Sequence, residues 1–223
     1  LCSGFTREET EYVLIDLQFL GITDLLVLRG DKARDDHTFT PTKGGHRHAL
    51  ELQEQINYFN EGFFDDGTPI QGAVQPFTYG VACYPEKHAE APNMDSDLHW
   101  LLMKQQAGAQ YAVTQLFYDN AVYFSFVGRA REAGITIPII PGIKPFTKAT
   151  QLTLVPKTFN VDIPPALTKA VEACKDDTDA VRRVGVEWCT EQCRELIRHG
   201  VPRLHFYAFG ATQSVRDVAK VVF

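Results

Sequence analysis

The sequence lacks the cysteine patterns of a disulfide-rich or zinc-binding protein. Its five cysteines are an odd number and contain no C-x-x-C pair. It also lacks the run of about 18 apolar residues that a membrane-spanning helix needs. Neither G-x-G-x-x-G nor G-x-x-x-x-G-K-[ST] occurs, so neither the usual dinucleotide-binding fold nor a P-loop is indicated. No stretch rich in proline, glycine or serine divides the chain, and we therefore predict a single domain over residues 1–223.

No strong excess of positive charge is present either. The 223 residues contain 22 lysines and arginines against 28 aspartates and glutamates, a formal net charge of −6. This balance argues against non-specific nucleic-acid binding, although a local basic patch could still hold an anionic cofactor. We expect no nucleic-acid or membrane partner. The unpatterned cysteines favour a reducing compartment, the cytoplasm.

Strand and helix patterns alternate along the chain. Short apolar runs at 25–28, 79–84, 111–118, 138–143 and 203–209 are typical of buried strands, and the segments between them contain helical periodicity. This alternation predicts an α/β protein with a parallel sheet, for which a (β/α)8 barrel is the better candidate. Residues 1–3 are expected to end a sixth strand. Because such a barrel has eight strands and about 250 residues, we expect two further βα units upstream of Leu1.

Local signals predict where several helices begin. The sequence from Thr6 to Glu9 has the form of a capping box. Either Asp95 or Asp97 is expected to cap the helix after the second strand, and Asp119 the helix after the third. A short helix is predicted to begin at Thr147, and a further one at the proline pair 164–165, since proline is tolerated in the first helical turn.

The stretch LLVLRGD at 25–31 is the first candidate for function. A buried strand leads directly into Arg29, Gly30 and Asp31. Ligands of parallel α/β folds bind at the carboxyl ends of strands, which favours a functional role for these three residues. The alternative is a polar turn with a local ion pair.

In a barrel, the carboxyl ends of the strands would collect further polar residues on the same face. Gln115 is the clearest candidate, because an amide in so apolar a strand needs a hydrogen-bond partner. That partner is either a ligand or a neighbouring strand. The expected set on this face is Asp31, Tyr84, Glu86, His88, Gln115, Lys144 and the region after Phe209.

Other polar residues permit two interpretations each. His46 and His48 could suggest a metal, although residues two apart do not share a helix face. Glu86 and His88 could form an acid–base pair or lie in an exposed loop. Lys104 could reach a phosphate or be an ordinary exposed lysine.

Six stretches, taken together, resemble one family. They are LVLRGD (26–31), GVACYPEKHAEAPN (80–93), QAGAQYAVTQLFYDN (106–120), IPIIPGIKPFT (137–147), LVPKTFNVDIP (154–164) and LHFYAFG (204–210). In this order they are similar to the methylenetetrahydrofolate reductase family. The resemblance implies a flavoprotein, with the chain forming the C-terminal three quarters of a flavin-binding (β/α)8 barrel.

The resemblance also implies an activity. NADH or NADPH would reduce FAD, and the flavin would then reduce 5,10-methylenetetrahydrofolate to 5-methyltetrahydrofolate, a step of one-carbon metabolism and methionine biosynthesis. The protein would position the flavin and tune its electronics. A homo-oligomer is expected from the family.

The family's motifs assign roles to individual residues of this chain. Asp31 would lie near the flavin ring, tune it through its negative charge and bind the pterin. Gln115 and Gln151 would bind folate together with Asp31. The residues matched to FAD positions are Arg29, Gly30, Asp31, His48, Ala49, Tyr84, His88, Ala91, Asp97 and Lys104.

The sequence departs from the family's pattern at several places. The family's general acid, a glutamate after the first barrel strand, has no counterpart here, so we expect the chain alone to be catalytically impaired. His48 replaces a tyrosine, Ala211 replaces a basic residue, and Cys83 replaces a smaller residue. One alternative is therefore a divergent flavin- or folate-binding protein without reductase activity. Another is a metal-dependent barrel enzyme that uses His46, His48 and His88.

Overall fold

The computed structural model describes residues 1–32 and 38–223, and it confirms an α/β fold. Helices and strands alternate as far as the fourth strand, and three successive helices then precede the fifth. The elements of the described residues are α1 (Arg7–Phe19), β1 (Asp24–Val27), α2 (Ala49–Asn60), β2 (Thr78–Cys83), α3 (Met94–Gln106), β3 (Tyr111–Leu116), α4 (Asn120–Glu132), β4 (Ile139–Ile143), α5 (Gln151–Phe159), α6 (Pro165–Glu172), α7 (Thr178–Arg198), β5 (His205–Phe206) and α8 (Thr212–Val222).

The strands form one sheet in the order β1-β2-β3-β4-β5, so each strand is hydrogen-bonded to the next along the chain. β1 pairs in parallel with β2, from Asp24 opposite Thr78 to Val27 opposite Val81. β5 pairs in parallel with β4 and is shorter than the predicted 203–209. Sequential parallel strands joined by helices are the order of a (β/α)8 barrel wall, here with five strands in the described residues.

The predicted sixth strand at residues 1–3 is not a regular strand. The amides of Cys2 and Ser3 nevertheless donate to the carbonyl oxygens of Leu28 and Arg29, at 3.1 and 2.9 Å. These two bonds extend backbone pairing along the carboxyl end of β1. None of the helices in the described residues is both long enough and apolar enough to cross a membrane.

The chain divides into two compact units. The first comprises residues 1–82 and 100–112. Side chains in its interior donate hydrogen bonds to the backbone carbonyl oxygens at the end of α3. Gln53, which is fully buried, donates to the Lys104 carbonyl at 3.0 Å, and Asn57 donates to the Ala107 carbonyl at 2.7 Å. The Tyr79 hydroxyl also donates to the Ala107 carbonyl, at 2.7 Å.

The second unit comprises residues 83–99 and 113–223. Its apolar core joins β3, α5, α6 and α7, through Leu116, Val155, Leu167 and Val181 among others. α7 approaches the β4–α5 loop closely at Gly185, where a Cβ atom would collide with the carbonyl oxygen of Phe146. This close packing requires glycine at position 185.

Several predicted helix starts are confirmed and two are wrong. The Thr6–Glu9 capping box forms, and Asp119 caps α4 through the amide of Ala121. α6 begins at the predicted prolines. For α3 neither predicted aspartate is the cap: the Asn93 side chain accepts from the Ser96 amide at 2.8 Å. α5 begins at Gln151, not Thr147, because the Gln151 oxygen accepts the Thr147 amide and holds that segment outside the helix.

Candidate functional site

At the end of β1, the cationic side chain of Arg29 is followed by a tight backbone turn at Gly30. Gly30 has a φ of +85°, a conformation that glycine adopts readily, and a Cβ at this position would collide with the Ser3 hydroxyl. The Arg29 guanidinium lies 4.6 Å above the ring of Phe39. Asp31 is exposed, and in the described residues it forms no ion pair with Arg29. The carboxylate of Asp31 therefore faces solvent beside a narrow backbone turn.

The two histidines before α2 lie in different environments. His46 is fully buried, and its Nε2 lies 2.6 Å from the Gln55 side-chain oxygen. Burial lowers its pKa, with an opposing contribution from the Gln55 hydrogen bond, so the ring is neutral at pH 7. His48 is exposed, and its side chain does not cap α2. His46 is thus a structural residue of the interior, and Ala49 of the predicted FAD set is also buried.

A lysine from α3 reaches the end of β2 in the first unit. The ammonium group of Lys104 donates to the carbonyl oxygen of Ala82 at 3.3 Å, and the residue is half-buried. The interpretation as an ordinary exposed lysine is therefore wrong. Its positive charge is held at the carboxyl end of a strand, where anionic ligands of parallel folds bind.

The loop after β2, in the second unit, is held by several hydrogen bonds. Asp97 accepts the amide of His88 at 2.8 Å. The Lys87 ammonium donates to the carbonyl oxygens of His88 and Ala91, at 3.0 and 2.6 Å. The rings of Tyr84 and His88 meet edge to face, with centroids 4.6 Å apart. Four predicted FAD residues of this loop and α3 therefore form one ordered structure.

Glu86 lies in the same loop but does not pair with His88. Its carboxylate accepts the amide of Asp162 at 2.6 Å, and no other partner of this carboxylate occurs in the described residues. Burial raises the pKa of Glu86 to about 7, against the lowering effect of the Asp162 hydrogen bond. The predicted Glu86–His88 acid–base pair is wrong, since the carboxylate instead ties the β2–α3 loop to the α5–α6 segment.

Two glutamine amides in the second unit are anchored in the same way. The side-chain oxygen of Gln115 accepts the amide of Leu116 at 2.9 Å. That of Gln151 accepts the amides of Thr147 and Lys148 at 2.7 and 3.0 Å. Within the described residues neither Nε2 group donates a hydrogen bond. Each amide therefore presents two N–H donors for an acceptor outside the protein.

Thr114, the residue before Gln115, forms a hydrogen bond to the neighbouring strand, which was one of the two partners predicted for Gln115. It is fully buried, and its hydroxyl accepts the amide of Gly142 on the neighbouring strand at 2.8 Å. Gln115 has no such bond to a neighbouring strand in the described residues. The neighbouring-strand interpretation therefore holds for Thr114 and not for Gln115.

The structure also identifies residues that sequence reasoning missed. Tyr207, directly after β5, donates from its hydroxyl to the Thr114 carbonyl at 2.9 Å, and its ring stacks on that of Phe209. Alternating aromatics in HFYAF were the available signal. Phe39, which contacts Arg29, had no signal in the sequence. Ala211 begins α8 without a side-chain cap, and Cys83 is buried.

The metal alternative finds no support in the residues described. They contain no group of three or more histidine, cysteine, aspartate or glutamate side chains suited to hold a metal ion. The groups at the carboxyl ends of the strands are, in the first unit, two cations and the exposed carboxylate of Asp31 and, in the second unit, aromatic rings and amide N–H groups. The strand order and the connecting helices define an α/β protein of the (β/α)8-barrel class.

Comparison with known proteins then identifies the family. The profile of the methylenetetrahydrofolate reductase family matches residues 1–222, and the chain belongs to this family. The resemblance inferred from the six stretches is confirmed.

Curated relatives match nearly the whole chain. Methylenetetrahydrofolate reductase (NADH) 1 of Arabidopsis thaliana is 32% identical over 96% of this chain and 35% of its own length. Methylenetetrahydrofolate reductase 2 of Saccharomyces cerevisiae is 35% identical over 92% of this chain and 33% of its own length. The 5,10-methylenetetrahydrofolate reductase of Pectobacterium carotovorum is 29% identical over 95% of this chain and 64% of its own length. The chain thus spans about a third of the plant and yeast relatives.

A solved structure supports the fold. A Clostridium thermocellum protein described as binding two copies of 5-methyl-5,6,7,8-tetrahydrofolic acid superposes with a TM-score of 0.56 at 14% identity. The superposition covers 99% of this chain and 70% of that protein.

Proposed function

We propose that the protein reduces 5,10-methylenetetrahydrofolate to 5-methyltetrahydrofolate, with FAD as cofactor and NADH or NADPH as hydride donor. The observation that carries the proposal is the family match over residues 1–222. The names of the relatives specify NADH in Arabidopsis thaliana and NADPH in Caenorhabditis elegans, so either donor is compatible with the family. From the resemblance we also propose a single-domain homo-oligomer in the cytoplasm.

The residues fit FAD by the chemistry of their donor groups. The first unit supplies two cations, Arg29 and Lys104, which suit a diphosphate. Gly30 lets the chain turn beside Ser3 at a positive φ, where a side chain would collide with the Ser3 hydroxyl, and so sets the path of the backbone between Arg29 and Asp31. The second unit supplies the Tyr84 and His88 rings, which suit contact with an aromatic group. When bound, FAD supplies hydride transfer between the nicotinamide and the folate.

The protein's own groups then position the reactants. Asp97 fixes the His88 amide and with it the loop that carries the two rings. Gln115 and Gln151 direct N–H donors at acceptor atoms of the pterin, because their oxygens are already held by backbone amides. Asp31 of the first unit places an exposed negative charge after β1, and we propose that it binds the pterin and tunes the flavin.

Cofactor binding tests the first step of this proposal. FAD is titrated into the protein and into two variants of the same helix, Asp97→Ala and Asp95→Ala. Asp97 holds the His88 amide, whereas Asp95 has a side chain that is 88% exposed and pairs with Arg129. We expect Asp97→Ala to weaken FAD binding about tenfold, the effect of losing a hydrogen bond to a charged group. Asp95→Ala should leave the affinity unchanged, and equal affinities of all three proteins would contradict the assignment.

The nicotinamide step is tested on the FAD-loaded protein. Anaerobic addition of NADH or NADPH should remove the visible absorbance of the bound flavin, and the faster of the two identifies the donor. A bound flavin that neither nucleotide reduces would contradict the proposal.

A second candidate is a flavin- or folate-binding protein without reductase activity. It is favoured by Ala211, which gives the segment before α8 no cationic side chain. In that case FAD or folate would bind, and Ala211→Arg would not restore folate reduction.

A further inference from the structure

The carboxyl end of β4 carries a lysine that is buried without an anionic partner among the residues the structure describes. Lys144 directly follows Ile143 and is 7% exposed. In the described residues its ammonium group makes no hydrogen bond and has no carboxylate within 4.0 Å. Burial accordingly lowers its pKa below the usual value for lysine. A buried ammonium without a partner is unfavourable, and lysine is rarely buried in this way.

Aromatic residues of the neighbouring strand border this ammonium group. The Tyr207 amide donates to the Ile143 carbonyl at 2.9 Å, which holds the residues after β4 and β5 side by side. The Lys144 Nζ lies 5.9 Å from the centroid of the Phe209 ring. That ring stacks on Tyr207 with centroids 5.8 Å apart and planes 10° from parallel.

Phe209 is itself in an unfavourable state. Its side chain is 69% exposed, and its φ of +35° lies in the left-handed region that side chains disfavour. An exposed large aromatic ring beside a buried cation offers both an apolar contact and a charge. Strained backbone of this kind clusters at ligand-binding positions.

We propose that Lys144 binds an anionic oxygen, a carboxylate or a phosphate, of a substrate whose ring contacts Phe209. The anion would replace the hydrogen bonds to water that the ammonium group loses on burial. Such charge-assisted hydrogen bonds are stronger than those between neutral groups. This inference rests on the proposed function, whose two substrates both carry such groups. The folate has a glutamate bearing carboxylates next to a benzoyl ring, and the nicotinamide nucleotide has a diphosphate.

Direct binding measurements on the whole chain separate these sources. The probes are two matched pairs: 5-methyltetrahydrofolate with 5-methyltetrahydropteroate, which lacks the glutamate, and NADH with reduced nicotinamide riboside, which lacks the diphosphate. The variants are Lys144→Met, Lys144→Arg and, as a control, Lys157→Met at an exposed site on α5.

We expect Lys144→Met to weaken one of the two anionic probes about tenfold, the value of a charge-assisted hydrogen bond. Its matched probe without the anion should bind unchanged. Lys144→Arg should keep binding within about threefold, and Lys157→Met should match the unmodified protein. The pair that responds identifies the anion as carboxylate or phosphate.

Three results would overturn the inference. They are unchanged binding of both anionic probes to Lys144→Met, equal losses for a probe with and without its anion, and no binding of any probe to the unmodified protein. Thermal unfolding reports the folding of each variant, and Lys144→Met should unfold at a higher temperature because an unpaired buried charge is removed. None of these readouts needs a bound flavin. Failure of the Lys144 assignment is thus distinct from failure of flavin reduction by NADH.

Discussion

The carboxyl group of Glu86 makes the stability of the folded protein depend on pH. Its carboxyl is partly buried, bonded to the Asp162 amide, and near the negative charges of Asp162 and Asp119. The pKa of Glu86 in the folded protein is about 7, above its ordinary value of 4.5. Between these two pH values the folded state holds a proton that the unfolded state has released. The free energy of unfolding must therefore fall as the pH rises through this window.

Glu86→Gln removes this titration and keeps an oxygen for the Asp162 amide. Relative to the variant, the unmodified protein should lose about 1–2 kcal/mol of unfolding free energy between pH 5 and pH 8, a figure reduced for partial exposure. Urea denaturation at several pH values measures this difference. Glu132→Gln, at an exposed site on α4, is the matched control and should leave the pH dependence as it was. Parallel pH curves for Glu86→Gln and the unmodified protein would contradict the raised pKa.

At the scale of single residues, the sequence predicts which side chains need a hydrogen bond better than it predicts the groups to which they bond. Gln115 was expected to need a hydrogen bond, and the structure supplies one from the adjacent Leu116 amide. The partner of Glu86 could not be foreseen, since Asp162 lies 76 positions away in the sequence. The burial of Lys144 likewise depends on packing between β4 and β5, which no local pattern encodes.

At the scale of elements, two helical glycines have opposite roles. A Cβ at Gly185 of α7 would collide with the carbonyl oxygen of Phe146, whereas a Cβ at Gly128 of α4 would contact nothing within 4 Å. Neither residue is at a positive φ. The two positions therefore separate the packing effect of a methyl group from its effect on helix propensity.

Alanine at these positions should change the unfolding free energy in opposite directions. Gly185→Ala should lower it by about 1–3 kcal/mol, because the backbone around Phe146 must shift. Gly128→Ala should raise it by about 0.5–1 kcal/mol, the difference in helix propensity. Denaturant unfolding of the two variants measures both changes. An increase for Gly185→Ala would mean that α7 does not pack against the β4–α5 loop as described.

The capping box of α1 gives a further prediction for an element. The Thr6 hydroxyl accepts the Glu9 amide at 3.1 Å, and the Glu9 carboxylate accepts the Thr6 amide at 2.8 Å. Thr6→Ala should lower the unfolding free energy by about 1 kcal/mol. Thr38→Ala, outside the regular elements, provides the comparison. Equal losses in the two variants would show that the cap contributes nothing specific.

Element boundaries were predictable where the signal is local and unambiguous. Thr6, Asp119 and the prolines before α6 each mark a helix start in both sequence and structure. The start of α3 was missed because Asn93 precedes two aspartates that are equally good caps by type. β5 is shorter than its apolar run: the regular strand comprises His205 and Phe206, and one further backbone bond joins Tyr207 to β4.

At the scale of the whole molecule, the strand order and the family were both predictable from the sequence. The alternation of elements requires parallel pairing between successive strands, and the six stretches occur in the order of the family. The roles of the predicted FAD and folate residues stay predictions.

The central claim is that the protein passes reducing equivalents to a folate. The most direct test is a single turnover under anaerobic conditions, because this measurement detects the reaction even when it is slow. The FAD-loaded protein is reduced with one equivalent of NADH or NADPH, and 5,10-methylenetetrahydrofolate is then added. We predict that the visible flavin absorbance returns and that an equal amount of 5-methyltetrahydrofolate forms. A flavin that stays reduced with the folate, but regains its absorbance when oxygen is admitted, would contradict the claim and identify a flavin-binding protein without folate reductase activity.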